Sequence, residues 1–274
     1  MSEFPSKESY HRFQQSVRDK ARYVHDDEVR GFLKTLLETS ESRKKTLEKD
    51  KLLWRAQRGC EWRVEYAGTE AEQEVPCALS PDRMKPKAQY VGDGRVNPRG
   101  IPVLYLASNS ATAVAEVRPW VGSYVSLAQF KMMRDCNVID CSMDKTRSWQ
   151  FVFLKGEPDA DKREQAVWGD LSHALSKPVT PEEPTTEYVP TQIIAEAFRA
   201  HGYDGIVYGS LLGNGINLSL FDCEAAELIN CGLHEVTRVA YAFDQADNPY
   251  FIAKHYPETG KTGTVEEPPP PDID

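Results

Sequence analysis

A single glutamate lies in a segment of the chain where a charged side chain is unexpected. Glu116 interrupts the run Ala-Val-Ala-Glu-Val, whose other members are small and apolar. A carboxylate in such surroundings can stabilise positive charge that develops on a bound molecule, or hold the hydroxyl groups of that molecule. The alternative is an ordinary helix glutamate that faces water, as most charged helix residues do.

Arginines are the residues best suited to bind an anion in this chain. The formal net charge is −9, so an acidic ligand would have to be bound by a few placed arginines and not by the overall field. A planar guanidinium group binds phosphate oxygens with two parallel hydrogen bonds. Arg55 follows Leu-Leu-Trp at an expected strand end, and Arg95 lies in a glycine-rich turn. Arg83 and Arg99 are nearby rivals, and a surface salt bridge is the alternative role for a single arginine.

Three further side chains have both a ligand-binding and a structural interpretation. Tyr105, in an apolar run, could stack on a flat ring of a ligand or simply pack in the core. Ser210 lies in the loop Gly-Ser-Leu-Leu-Gly-Asn-Gly, where hydroxyl and backbone N–H groups could hold a phosphate or a sugar. It could equally be an ordinary turn serine. We interpret Asn217 as structural.

The spacing of apolar residues predicts the elements that must position these side chains. Residues 6–38 are expected to form a helix, and a first strand is expected at 52–54. The other predicted strands are 103–107, 121–130, 137–141, 205–208, 217–221 and 235–243, and the other predicted helices are 111–117, 162–176 and 191–200. This mixture predicts an α+β or mixed α/β fold.

Turn-forming residues mark the connections between these elements. The segments 68–100 and 178–190 are expected to be loops, because they are rich in residues that favour turns. Ser108 and Ser110 are candidate N-caps of the short helix 111–117, and the pair Arg118-Pro119 is expected to end it. Gly202 is the expected left-handed cap of the helix that ends at Ala200.

The composition suggests three parts and excludes several classes of protein. We predict a helical extension over 1–50, a main domain over 51–256 and a disordered acidic, proline-rich tail over 257–274. With no apolar signal core and no apolar run of roughly 18 residues, the chain is expected to be soluble and cytoplasmic, without a membrane partner. The six cysteines and six histidines have no metal-binding spacing, so reduced thiols and no metal are expected. The acidic balance argues against direct binding of nucleic acid.

Two longer segments carry a family resemblance. They are GRVNPRGIPVLYLASNSATAVAEVRPW, residues 94–120, and TQIIAEAFRAHGYDGIVYGSLLGNGINLSLF, residues 191–221. Together with the arginine of LLWRAQRG, they resemble the RES domain, a family named for its arginine, glutamate and serine. The resemblance covers roughly residues 52–245, and the motifs agree in order and spacing.

The resemblance implies a fold, a reaction and a set of site residues. RES domains have a compact mixed β-sheet related in shape to that of ADP-ribosyltransferases, and they consume NAD⁺ as a substrate, with no separate cofactor. The implied activity is that of an NAD⁺ glycohydrolase or phosphorylase, or of an ADP-ribosyltransferase. The implied catalytic residue is Glu116, and the implied NAD⁺-binding residues are Arg55, Arg95, Tyr105 and Ser210. Leu211 stands where many relatives carry a second serine, which puts a serine pair in doubt.

The chemistry of NAD⁺ cleavage agrees with a single carboxylate. Nicotinamide leaves as a neutral base, so it needs no general acid, unlike the leaving group of an ordinary glycosidase. Toxins of this family act within toxin–antitoxin systems, so an antitoxin, expected to contain a helix-turn-helix, is an implied partner. The alternatives are a non-catalytic interaction or regulatory protein built on a RES scaffold and, with less support from the charge, a toxin that binds or cuts nucleic acid.

Overall fold

The computed structural model describes residues 3–143, 156–178 and 185–243. The chain divides into two units, Met1–Thr237 and Arg238–Asp274. The first unit contains every described helix and strand, and the described residues of the second, 238–243, form neither. The predicted tail over 257–274 and residues 179–184 of the predicted loop over 178–190 lie outside the described residues. The loop prediction is wrong for the rest of that segment, because Thr185–Tyr188 form a 3-10 helix and an α-helix begins at Val189.

The first unit contains six described α-helices and ten strands. The helices are α1 (Ser9–Asp19), α2 (Asp27–Ser40), α3 (Pro81–Met84), α4 (Ser110–Glu116), α5 (Ala160–Ser176) and α6 (Val189–Ala200). The strands are β1 (Lys44–Leu47), β2 (Leu52–Arg58), β3 (Glu61–Glu65), β4 (Gln73–Cys77), β5 (Leu104–Ala107), β6 (Tyr124–Met132), β7 (Cys136–Asp140), β8 (Gly205–Gly209), β9 (Ile216–Leu220) and β10 (Ala226–Glu235). None of the described helices is both long and apolar enough to cross a membrane.

Eight of the strands form one mixed sheet, which confirms the predicted α+β class. Their order is β1-β7-β8-β9-β5-β2-β6-β10, and β3 and β4 form a separate hairpin. The β7–β8 pair is parallel, and the other neighbours are antiparallel. Because β9 pairs with both β5 and β8, it brings together segments that are about a hundred residues apart in sequence.

Alternate residues of the central strands supply two hydrophobic clusters. In β8, Ile206 and Tyr208 belong to the cluster that also contains buried residues of α1, α2, α5 and α6, whereas Val207 belongs to a second cluster. Successive side chains of a strand point to opposite faces, so these helices cover one face of the sheet. In the stretch 1–50, α1 and α2 pack into the first cluster and β1 pairs with β7. The proposed boundary at residue 50 stays a prediction.

The helix predicted over 6–38 is two helices. The chain leaves helical geometry after Asp19, and Asp26 starts α2 by accepting a hydrogen bond from the backbone N–H of Val29 at 2.9 Å. An aspartate with acidic residues in the following turn is a favourable helix start. The apolar stripe continues across the break, which is why the periodicity alone concealed it.

Other predicted boundaries also differ from the structure. The segment predicted as the first strand, 52–54, lies in β2. The strand before it, β1, was not predicted, because this short edge strand contains lysines and has no apolar pattern. The segment 68–100 contains β4 and α3 as well as turns. Asn109, between the two predicted serines, caps α4. The last described strand is β10, Ala226–Glu235, which pairs with β6. The strand predicted over 235–243 is therefore wrong, since the alternating residues of that segment come after β10.

Candidate functional site

The carboxylate of Glu116 lies at the C-terminal end of α4, where two side chains bind it. Asn109 begins this helix by accepting a hydrogen bond from the N–H of Thr112 at 2.8 Å. At the other end, Oε1 of Glu116 accepts hydrogen bonds from Oγ of Ser210 and from Nδ2 of Asn217, each at 2.7 Å. No described residue forms a hydrogen bond with Oε2. One oxygen therefore fixes the carboxylate, and the other is free to face a ligand.

The loop that carries Ser210 holds its hydroxyl in place. Oγ of Ser210 accepts hydrogen bonds from the N–H groups of Leu212 at 3.1 Å and Gly213 at 3.0 Å. In both bonds the hydroxyl is only an acceptor, so its single proton remains for the hydrogen bond to Glu116. The loop passes close to α4, because a Cβ on Gly213 would lie 2.8 Å from Oγ1 of Thr112. The glycine is needed for this approach.

Asn217 reaches Glu116 from the middle of the sheet. It lies on β9 opposite Ala107 of β5 and Tyr208 of β8, and only 5% of its surface is exposed. The sequence interpretation of Asn217 as structural missed its contact with Glu116. The available signal was a polar residue within a buried strand, since a buried amide must find hydrogen-bond partners.

Arg55 lies on β2 with hydrogen-bonding capacity to spare. Its Nη1 donates to the carbonyl oxygen of Tyr105 at 3.0 Å, and its Nε is buried without a hydrogen-bond partner. Burial lowers the pKa of the guanidinium, although an arginine remains charged at any pH of interest. Among the described residues no carboxylate pairs with it. A desolvated cation with an unused donor is a strong candidate to bind an anionic ligand.

Arg95 projects from the glycine-rich turn that precedes β5. Its Nη2 donates to the carbonyl oxygen of Lys177 at 2.6 Å, and its guanidinium carbon lies 5.8 Å from the centre of the Tyr208 ring. Its Nε, like that of Arg55, is buried without a partner. Oγ1 of Thr191 on α6 donates to the Arg95 carbonyl oxygen at 2.6 Å, so the turn is tied to this helix.

Tyr105 uses its hydroxyl to hold that same turn. The hydroxyl donates to Oδ1 of Asn97 at 2.6 Å and accepts from the N–H of Val96 at 3.2 Å. Burial raises the pKa of Tyr105, so the phenol stays neutral. A Cβ on Gly94 would lie 2.7 Å from this hydroxyl, which explains the glycine beside Arg95. Tyr105 thus has a structural function, and its side chain also lines a cavity.

A cavity of about 730 Å³ gathers most of the predicted site residues. Four of the five predicted residues line it, and Ser210 reaches it through its hydrogen bond to Glu116. The charged residues of its wall are Arg55, Arg58, Arg95, Arg118 and Glu116. The wall is therefore cationic although the chain as a whole is acidic, which suits a ligand with more than one negative charge.

The other arginines near the predicted site differ in whether they line this cavity. Arg118 joins the site although it was predicted only to end the helix, and it has a positive φ of 46°. Such a backbone angle is uncommon for a residue other than glycine and is found often at functional sites. Of the two rivals, Arg83 lines a different cavity, and Arg99 lines neither. Within the described ranges, no three histidine, cysteine or acidic residues form a possible metal site.

Comparisons with known proteins give one family and one solved structure. A model of the RES domain matches residues 52–244, more than half of the chain. No curated protein sequence matches. The chain is similar to one in the crystal structure of the M. tuberculosis MbcT–MbcA toxin–antitoxin complex, with 16% identity, a TM-score of 0.38, and coverage of 74% of this chain and 92% of that chain. A TM-score this low marks a loose likeness, so the family assignment depends on the sequence match.

Proposed function

Since the chain belongs to the RES domain family, we propose that it is a toxin-type enzyme that cleaves NAD⁺ at the bond between nicotinamide and ribose. The observation that carries the proposal is the cavity wall, in which four arginines line the same space as a single fixed carboxylate. The arginines suit a pyrophosphate, and the carboxylate suits a sugar that becomes cationic. NAD⁺ contains both groups and is the substrate; the proposal requires no further cofactor.

Arg55 and Arg95 are the proposed ligands of the pyrophosphate. Each has a buried Nε without a partner, and neither has a carboxylate partner among the described residues. A pyrophosphate in the cavity would accept charge-assisted hydrogen bonds from the Nη groups of these arginines, and such bonds are roughly twice as strong as neutral ones. Because Arg55 also bonds the Tyr105 carbonyl, one face of its guanidinium is already fixed. Little ordering remains to be done when the ligand binds.

Glu116 is the proposed catalytic group. When the carbon–nitrogen bond breaks, both electrons leave with nicotinamide, and positive charge develops on the ribose. The carboxylate stabilises that charge while an acceptor adds to the same carbon and loses a proton; water, phosphate or a protein side chain can be the acceptor. Ser210 and Asn217 are positioning residues, because they hold Oε1 and leave Oε2 for the ribose. A carboxylate fixed before the reaction need not reorganise during it.

An antitoxin partner follows from the same proposal. An unrestrained NAD⁺ consumer in the cytoplasm, where NAD⁺ is used, would harm its own cell. We therefore expect a partner protein, of the helix-turn-helix type, that prevents NAD⁺ from entering the cavity. Expression of the chain should stop growth, and co-expression of the partner should restore it. Harmless expression of a chain proven to be active would remove the reason for a partner.

Incubation of the chain with NAD⁺ tests the proposal directly. The reaction is run with and without inorganic phosphate and with candidate proteins, and released nicotinamide, free ADP-ribose, its phosphate and modified protein are measured by mass spectrometry. The expected result is nicotinamide release that depends on Glu116, and the second product identifies the acceptor. No release of nicotinamide under any of these conditions would refute the proposal and favour a non-catalytic protein on a RES scaffold.

A further inference from the structure

A second cavity, of about 930 Å³, lies directly against the first. Arg55, Gln57 and Tyr105 line both cavities, whereas Glu116 and Arg95 line only the first. The side chains of these three residues therefore form a wall that the two cavities share. Arg55 is the charged residue of that shared wall, so its guanidinium lies next to both spaces.

The second cavity differs from the first in charge. Its wall beyond Arg55 contains three cations and three carboxylates, in the order Glu61, Asp82, Arg83, Lys85, Lys87 and Asp93. Lys87 pairs with Asp82 at 3.2 Å, and Lys85 pairs with Glu224 at 2.9 Å. Charges that neutralise one another do not attract a polyanion, but their oxygens and N–H groups can bind hydroxyl groups and ring nitrogens. This wall suits a neutral, polar group.

One aromatic side chain of this wall is strongly exposed. Tyr90 lines the second cavity, comes shortly after Lys85 and Lys87 in the sequence, and is 79% exposed. The first cavity is lined by four aromatic residues, of which Tyr208 is buried and the others are half-buried, so none offers a ring as exposed as that of Tyr90; the three half-buried ones are Trp54, Tyr105 and Tyr188. An exposed tyrosine ring beside a polar wall can stack on a nucleobase.

We propose that the second cavity binds the adenosine half of the dinucleotide, with Tyr90 against the adenine. The inference rests on the proposed function, since it takes NAD⁺ as the substrate. With the nicotinamide ribose at Glu116 and the pyrophosphate at Arg55, the second cavity is the adjoining space that also includes Arg55 in its wall. Adenosine is neutral and carries hydroxyl groups, a base with a π-face and ring nitrogens, which match the wall described above.

Two substrates that differ by this half provide the test. NAD⁺ and nicotinamide mononucleotide have the same reacting bond, but the mononucleotide lacks the adenosine monophosphate. Tyr90→Ala should lower kcat/KM for NAD⁺ by roughly five- to a hundredfold, mainly through KM, because loss of one base-stacking contact costs this much. It should leave kcat/KM for the mononucleotide unchanged. Tyr90→Phe keeps the ring and should behave as the wild type.

Tyr23→Ala is the matched control, because Tyr23 is 92% exposed and lines neither cavity. Equal losses on both substrates, or no loss on NAD⁺, would overturn the inference. Binding of ADP-ribose to the full chain is a second readout that needs no turnover, and Tyr90→Ala should weaken it by a similar factor. If the wild type binds ADP-ribose through Tyr90 yet releases no nicotinamide, the proposed reaction fails and the adenosine site stands. If Tyr90→Ala binds ADP-ribose like the wild type, the adenosine site fails.

Discussion

Replacement of Glu116 by glutamine removes a charge and almost nothing else. The carbonyl oxygen of the new side chain can take the place of Oε1 and accept the bonds from Ser210 and Asn217. Its NH₂ group then takes the place of Oε2, with which no described residue forms a hydrogen bond. Shape, volume and the supporting hydrogen bonds are kept, so the negative charge at the ribose is the property under test.

The effect on stability should be small. Two hydrogen bonds to a charged acceptor, each contributing about 1.5–3 kcal/mol, become neutral bonds that contribute about 0.5–1.5 kcal/mol. The half-buried carboxylate also loses the cost of leaving water, which offsets part of that difference. We expect a net change in unfolding free energy of about 1 kcal/mol or less, measured by chemical denaturation.

The effect on turnover should be large. A fixed group that stabilises charge only in the transition state contributes about 2.7–4 kcal/mol, so kcat should fall roughly a hundred- to a thousandfold. The affinity for NAD⁺ should change little, because Arg55 and Arg95 are intact. Single-turnover release of nicotinamide measures the chemical step, and equilibrium binding measures the affinity.

Two comparisons decide whether Glu116 acts as proposed. Glu196→Gln changes an exposed glutamate of α6 and should leave turnover unchanged. Asn217→Ala should lower kcat less than Glu116→Gln does, and should have almost no further effect in the Glu116→Gln background, because residues that act through one group are not additive. Full turnover by Glu116→Gln would refute the mechanism.

Three further predictions follow from the contacts of the site and the core. Arg55→Ala and Arg95→Ala should each raise KM for NAD⁺ roughly ten- to a hundredfold, and lysine at either position should restore only part of the affinity. Arg99→Ala is the control and should leave KM unchanged. Equal KM values in all variants would place the pyrophosphate elsewhere. Tyr105→Phe should lower the unfolding free energy by about 1–3 kcal/mol, since a buried amide oxygen loses its donor; unchanged denaturation would contradict this. A chain that begins at residue 44 should have a lower Tm than the full chain and should self-associate, because the helices of the stretch 1–43 cover apolar residues of the core. The same Tm and the same association state in both chains would disprove this.

Local signals of the sequence were sufficient for several elements of the site. The strand predicted over 103–107 is β5, and the helix predicted over 111–117 is α4 within one residue at each end. An apolar run of strand length and a proline that ends a helix are local properties of the chain. They place Tyr105 and Glu116 on the correct elements without any knowledge of the sheet.

Sequence reasoning could not find contacts that depend on the order of the strands. Asn217 and Ser210 meet Glu116 because β9 pairs with β5, and nothing in the segment 209–217 states that pairing. The edge strand β1 was missed for the opposite reason, since its lysines carry no apolar pattern. Long-range pairing and edge strands are therefore the parts that required the structure.

The strand β5 connects the two halves of the site, and this connection explains why the site can be fixed before a ligand arrives. Its Tyr105 bonds Arg55 through the carbonyl oxygen and holds the turn of Arg95 through the hydroxyl. The same strand leads into α4 and pairs with β9, so it also places Glu116 beside Asn217. The proposed phosphate ligands and the proposed catalytic carboxylate are thus positioned by one short buried strand. A side-chain change within β5 should consequently alter KM and kcat together, whereas a change at either end of the cavity should alter one of them.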